Sequence, residues 1–176
     1  MTTIPRRPSA TIIAIVLSTI ASACGFSARV PPDPSTRSPE IVIPAADTAS
    51  ETVVVRTNAE RRRLGLPELA RSNQLMRAAQ LQADQMAATL TMAHDLPHAR
   101  YPSMDDRIAV VGYSYRAAGE NVAEGYPSAS AVVAGWMTSP GHRANIVSPH
   151  FTEMGAGVAT GKNGRRFWAQ VFGAPR

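Results

Sequence analysis

The sequence predicts an α+β fold, with helices flanking a small antiparallel sheet, and three observations carry the prediction. Between Ser72 and Leu90, and again between Ser128 and Thr138, apolar residues recur at threes and fours, the period of one helix face. Near the C-terminus, Met154–Ala159 and Arg165–Phe172 read as strands joined by Gly161-Lys162-Asn163-Gly164, a turn suited to a hairpin. No internal repeat is visible.

The first segment of the chain is an address. Arg6 and Arg7, the apolar stretch Ile12–Ile20 and the small residues Ala21-Ser22-Ala23 have the order of a secretory signal peptide, residues 1–23. The stretch is too short for a membrane span, which needs about 20 apolar residues. The chain's one cysteine, Cys24, follows at once, as in a bacterial lipobox, where the thiol takes the lipid. Ala21-Ser22-Ala23 also fits soluble export, so the residues leave both routes open. Lipidated Cys24 would make the membrane a partner through acyl chains such as palmitate, and two or three chains hold stably where one is marginal. Residues 24–50 carry Pro31, Pro32, Pro34, Pro39 and Pro44, a composition that favours an extended tether. Residues 51–176 are the size of one domain with one core.

Removal of Arg6 and Arg7 leaves sixteen basic residues against thirteen acidic, lowering the formal charge from +5 to +3. Arg61, Arg62 and Arg63 cluster, as do Arg165 and Arg166, but no aromatics interleave with them as in single-strand nucleic-acid binders. They read as solvated surface, and nucleic acid is not an expected partner. With one cysteine the domain has no internal disulfide, so its packed core must stabilise it.

Glu51–Leu64 reads as a helix ended by Gly65 and Pro67. Ser72 can cap a second helix, whose apolar face is Leu75, Ala79, Ala83, Met86 and Leu90. Pro97 sets its end near Met92 or His94. Ser103-Met104-Asp105-Asp106 can cap a short helix to Val110, closed by Gly112. Gly119–Gly125 suits a short strand. Ser128–Thr138 is a helix with Ala131, Val132, Gly135 and Trp136 as its apolar face, broken by Pro140-Gly141. Three or four helices are expected in all.

Six polar residues stand beside turns or in apolar sequence: His94, Glu120, Asn121, Ser139, His142 and Gln170. Two histidines and a carboxylate can complete a three-ligand zinc site with an open position. The same trio can serve as general acid and base. No HExxH spacing and no G-x-S-x-G elbow is present, and periodicity alone favours Glu120 and His142 as hydrogen-bonded structural polars. Pro97 spoils the helix that would align His94 with His98, and His150 reads as a loop residue.

The ordered series Gly119-Glu120-Asn121, then Trp136-Met137-Thr138-Ser139-Pro140-Gly141-His142-Arg143, then Trp168-Ala169-Gln170-Val171-Phe172-Gly173 resembles a bacterial domain of the CAP superfamily. This is the family of cysteine-rich secretory, antigen-five and pathogenesis-related proteins. Asn58-Ala59-Glu60-Arg61, Gly65-Leu66-Pro67, His94 and Gly155-Ala156-Gly157-Val158 extend the likeness over residues 52–173. The resemblance implies a three-layer α–β–α sandwich with a cleft lined by two histidines and two glutamates, some members holding a divalent metal on the histidines. Carried over by motif, His94 and His142 are the histidines, and the candidate metal ligands for zinc, and Glu120 is the first glutamate. Ser139 stands where eukaryotic members have the second glutamate, which makes this cleft less acidic. Asn121 would tie the loop backbone together, and Gln170 would support the cleft wall.

Three functions follow as expectations. One is a non-enzymatic, monomeric envelope protein binding a lipid, a sterol-like molecule or another small apolar ligand, in a groove separate from the histidine cleft, as the resemblance implies for some members. The second is a metal-assisted hydrolase with His94 and His142 on zinc and Glu120 as base. The third is an envelope interaction protein whose cleft residues only lock the fold.

Overall fold

The computed structural model describes residues 45–176, with side chains from Ala49 onward. The signal peptide, Cys24 and residues 24–44 of the tether lie outside the described residues. Five helices and four strands follow in the order α1 (Ala45–Arg63), β1 (Ala70–Arg71), α2 (Asn73–Thr89), α3 (Met104–Val110), β2 (Tyr115–Glu124), α4 (Ala129–Thr138), α5 (Pro140–Val147), β3 (Glu153–Thr160) and β4 (Arg166–Pro175).

The strands form one sheet in the order β1-β3-β4-β2. β4 pairs antiparallel with both β3 and β2, whereas β1 runs parallel to β3 through Ala70↔Glu153 and Arg71↔Met154. The sheet is therefore mixed, not purely antiparallel. β1 is two residues long and too short to leave an alternating apolar pattern in the sequence.

β4 is buried along nearly its whole length, because helices cover both faces of the sheet. Its alternation assigns each residue to a layer. Trp168 and Phe172 join the core with Val53 and Val54 of α1, Val132 and Trp136 of α4 and Ile146 of α5. Phe167, Ala169 and Val171 join the opposite core with Leu75, Ala79 and Met86 of α2 and Ile108 of α3. The result is an α–β–α sandwich. β2 alternates in the same way, so neighbours Glu120 and Asn121 leave the sheet on opposite faces.

α2 lies directly on β3. A Cβ at Gly155 would fall on backbone atoms of Leu75 and Met76, and one at Gly157 would stand 2.5 Å from the Gln80 Cα. Met76 and Gln80 then bond the β3 backbone: the Ala156 amide donates to Met76 Sδ at 3.1 Å and the Val158 amide to Gln80 Oε1 at 3.2 Å.

Several boundaries differ from expectation. α1 begins at Ala45 rather than Glu51, so the tether ends earlier; Ala45, Ala46 and Ala49 are strong helix formers, and Ala49 packs on the core. α2 stops at Thr89, where Leu90 turns left-handed at φ 53° and its amide caps the Met86 carbonyl. Pro140 starts α5 instead of merely breaking α4, since proline suits the first helical position. The buried face of α4 is Ala129, Val132, Val133 and Trp136, with Ala131 and Gly135 only half-buried. Arg61 is not solvated. It is 2 % exposed, and its guanidinium donates to the carbonyls of Pro67, Ile146 and Ser148 at 2.7, 2.7 and 3.0 Å, joining α1 to the end of α5.

Candidate functional site

The free edge of β2 carries a hollow of about 500 Å³. The segment after α2 walls it with Met92, Ala93 and His94; β2 supplies Val122, Ala123 and Glu124; α4 and α5 supply Trp136, Ser139 and His142. His94, Ser139 and His142 therefore line one space, although distant in sequence.

Glu120 stands behind this wall. Its side chain is 3 % exposed, with one oxygen 3.0 Å from His94 Nδ1 and the other 3.0 Å from Arg107 of α3. Arg107 is fully buried and also donates to the carbonyls of His94, Tyr101 and Pro102 at 3.0, 3.1 and 3.2 Å. It thus neutralises Glu120 and pins the segment that carries His94. Gln82 of α2 adds a bond to the His94 carbonyl at 3.0 Å. Sequence reasoning missed Arg107; the one signal for it was an arginine beside Ile108 on an apolar helix face.

On the other face of β2, Asn121 donates to the His142 carbonyl at 3.2 Å and accepts from Asn145 at 2.9 Å, fastening α5 to the strand. Gln170 lies deeper and does not line the hollow; it donates to Thr57 Oγ1 of α1 at 2.8 Å. His98 and His150 are exposed and outside the hollow. Ser139 is the N-cap of α5, yet its hydroxyl makes no cap bond.

The two imidazoles are driven apart in proton affinity. The hydrogen bond His94 donates to Glu120 holds the imidazole above the ordinary histidine range, against the opposing effect of burial. Burial, then the charge of His94, holds His142 below it. Groups separated in this way are suited to different protonation states at one pH.

A divalent metal does not fit this donor set. Zinc sites take three or four protein ligands. Here both Glu120 oxygens are engaged and Ser139 offers a hydroxyl where an acid would stand, so His94, through Nε2, and His142 are the two donors left facing the hollow, short of three. Glu124, which lines the hollow, is paired with Arg165 at 3.1 Å. Among the described residues no three His, Cys, Asp or Glu side chains converge as metal ligands.

A sandwich whose sheet edge opens into a histidine-walled cleft is the architecture implied by the sequence motifs. Residues 54–172 match the family described as CAP, the cysteine-rich secretory protein family. The chain belongs to this family. It is 37% identical over 130 residues to the uncharacterised protein YkwD of Bacillus subtilis (strain 168), an alignment covering 73% of this chain and 49% of that protein. It is 28% identical over 143 residues to the membrane protein YlbC of the same organism, covering 76% and 39%. The chain thus spans half or less of these relatives. An extracellular SCP-domain protein of Bacillus anthracis superposes with a TM-score of 0.67 at 29% identity, over 73% of this chain and 41% of that one. An outer surface protein of Borrelia burgdorferi has the same fold, with a TM-score of 0.64 at 20% identity, over 72% and 92%.

Proposed function

We propose that this chain is an exported envelope protein that holds a small apolar ligand and is not a hydrolase. One observation carries the proposal: a second hollow, of about 450 Å³, runs between α2 and α3, walled by Leu81, Tyr101, Val110 and Val111, with Arg77, Gln80 and Asp84 of α2 along one side. Its volume lies within the range of small-molecule sites, about 300–1,000 Å³. Val110 is 50% exposed there, an apolar side chain left in water that a ligand would cover. The hydrolytic alternative needs Glu120 as a free base, and Arg107 and His94 already occupy its carboxylate. Export is supported by the order of residues 1–24 and by relatives described as extracellular, outer-surface and membrane proteins.

Titration of the mature chain with a fluorescent acyl probe tests the ligand. Saturable binding is expected, weakened at least tenfold in Val110→Asp with an unchanged melting temperature. Equal binding by Val110→Asp, or none by the native chain, would refute it. Metabolic labelling with a palmitate analogue tests the anchor: label should appear on the native chain and vanish in Cys24→Ser. An unlabelled native chain would refute the lipid anchor.

A further inference from the structure

The cleft beside β2 has an unusual charge balance for a metal site. Five ionisable groups line it: His94, His142, Glu124, Tyr126 and Arg165. Glu124 and Arg165 neutralise each other at 3.1 Å. Behind His94, Glu120 and Arg107 do the same at 3.0 Å. What remains facing the space is two imidazoles, the Tyr126 phenol and the uncapped hydroxyl of Ser139, and no free carboxylate. The rest of the wall is apolar, with Met92 45% exposed at its mouth and Val122, Ala123 and Trp136 within. A carboxylate at position 139 would turn this space toward cations; serine turns it toward acceptors.

We infer that the β2-edge cleft binds a small amphipathic carboxylate, its head received by His94, Ser139 and His142 and its apolar body by Met92 and Val122. Each of the three polar residues can donate a hydrogen bond to it, and bonds to an ionised acceptor are the stronger kind. Glu120 supports the seat from behind by favouring the charged form of His94; Asp95 acts in the same sense, while Arg107 opposes it. The site is distinct from the α2–α3 hollow, with which it shares no lining residue.

Isothermal titration of the mature chain with sodium octanoate, octanol, octyltrimethylammonium and zinc chloride separates the possibilities. Octanoate should bind saturably, octanol at least tenfold more weakly, and the ammonium and zinc not measurably. Ser139→Glu should cut octanoate affinity at least tenfold and His142→Ala should weaken it, each without a fall in melting temperature large enough to unfold the chain. Val110→Asp should leave octanoate binding intact, so this site and the α2–α3 reading can fail separately. Octanol equal to octanoate, octanoate loss in Val110→Asp rather than Ser139→Glu, or stoichiometric zinc on the native chain would overturn the assignment. So would no binding of octanoate.

Discussion

At the scale of single residues, the Glu120 carboxylate organises the neighbourhood of the cleft, and its surroundings yield two predictions. Arg107 and Glu120 form a buried ion pair, and removal of one partner strands the other's charge. Arg107→Met should cost about 3–5 kcal/mol in urea unfolding. Adding Glu120→Gln should recover part of that loss, because the stranded charge is gone. The histidines give the second prediction through pH. His94 binds protons more tightly when folded, so it stabilises the fold below its unfolded pKa of about 6.5, an effect lost as pH rises through the higher folded value. His142 binds them less tightly, so its protonation costs stability as pH falls below about 6.5. Between pH 8 and 6, His142→Ala should therefore gain stability on acidification relative to the native chain, and His94→Ala should lose it. Urea midpoints at several pH values check both signs, and parallel slopes in the two variants would contradict them.

At the scale of elements, caps and close approaches set what the sequence could reveal. Ser103 and Asp106 form a full capping box on α3, with the Asp106 amide donating to Ser103 Oγ at 3.2 Å and the Ser103 amide to Asp106 at 3.0 Å. Such local devices are visible in four consecutive residues, which is why α3 was legible. Ser103→Ala should cost about 1 kcal/mol, read as a lowered urea midpoint. The contact of α2 with β3 is of another kind. It depends on Gly155 and Gly157 meeting a helix about eighty positions earlier, and nothing in the local sequence announces that partner. Gly155→Ala should cost at least about 2 kcal/mol, since the methyl meets backbone that has no rotamer to yield. The same distance hid β1, whose strand pairing is with β3, and Arg107, whose partners are mostly carbonyls of a coil segment. Ordered motifs marked His94, Ser139 and His142 because they flank turns; Glu120's place behind the hollow depends on its ion pair with Arg107 of α3, which no motif announces.

At the scale of the whole molecule, the sandwich closes only if both outer layers are complete, and this bears on where the folded unit starts. α1 belongs to the layer with α4 and α5, and it contributes Val53, Val54 and the buried Thr57, Asn58 and Arg61. Asn58 exchanges bonds with the Leu69 backbone at 2.9 and 3.0 Å, so α1 also fixes the entry to β1. A proline-rich composition before residue 50 read as tether up to the domain, yet the helix starts at Ala45, and Ser50 is 2 % exposed. Extra turns at the start of a helix stabilise its later turns, because each added residue propagates an existing nucleus. A chain starting at Glu51 should therefore be less stable than one starting at Ala45, by about 1 kcal/mol, or about 4 °C in Tm for a domain of this size. Calorimetric melting of the two chains measures the difference. Equal Tm values would mean that the layer is complete without its first turns, and that the folded unit begins where the composition alone had placed it.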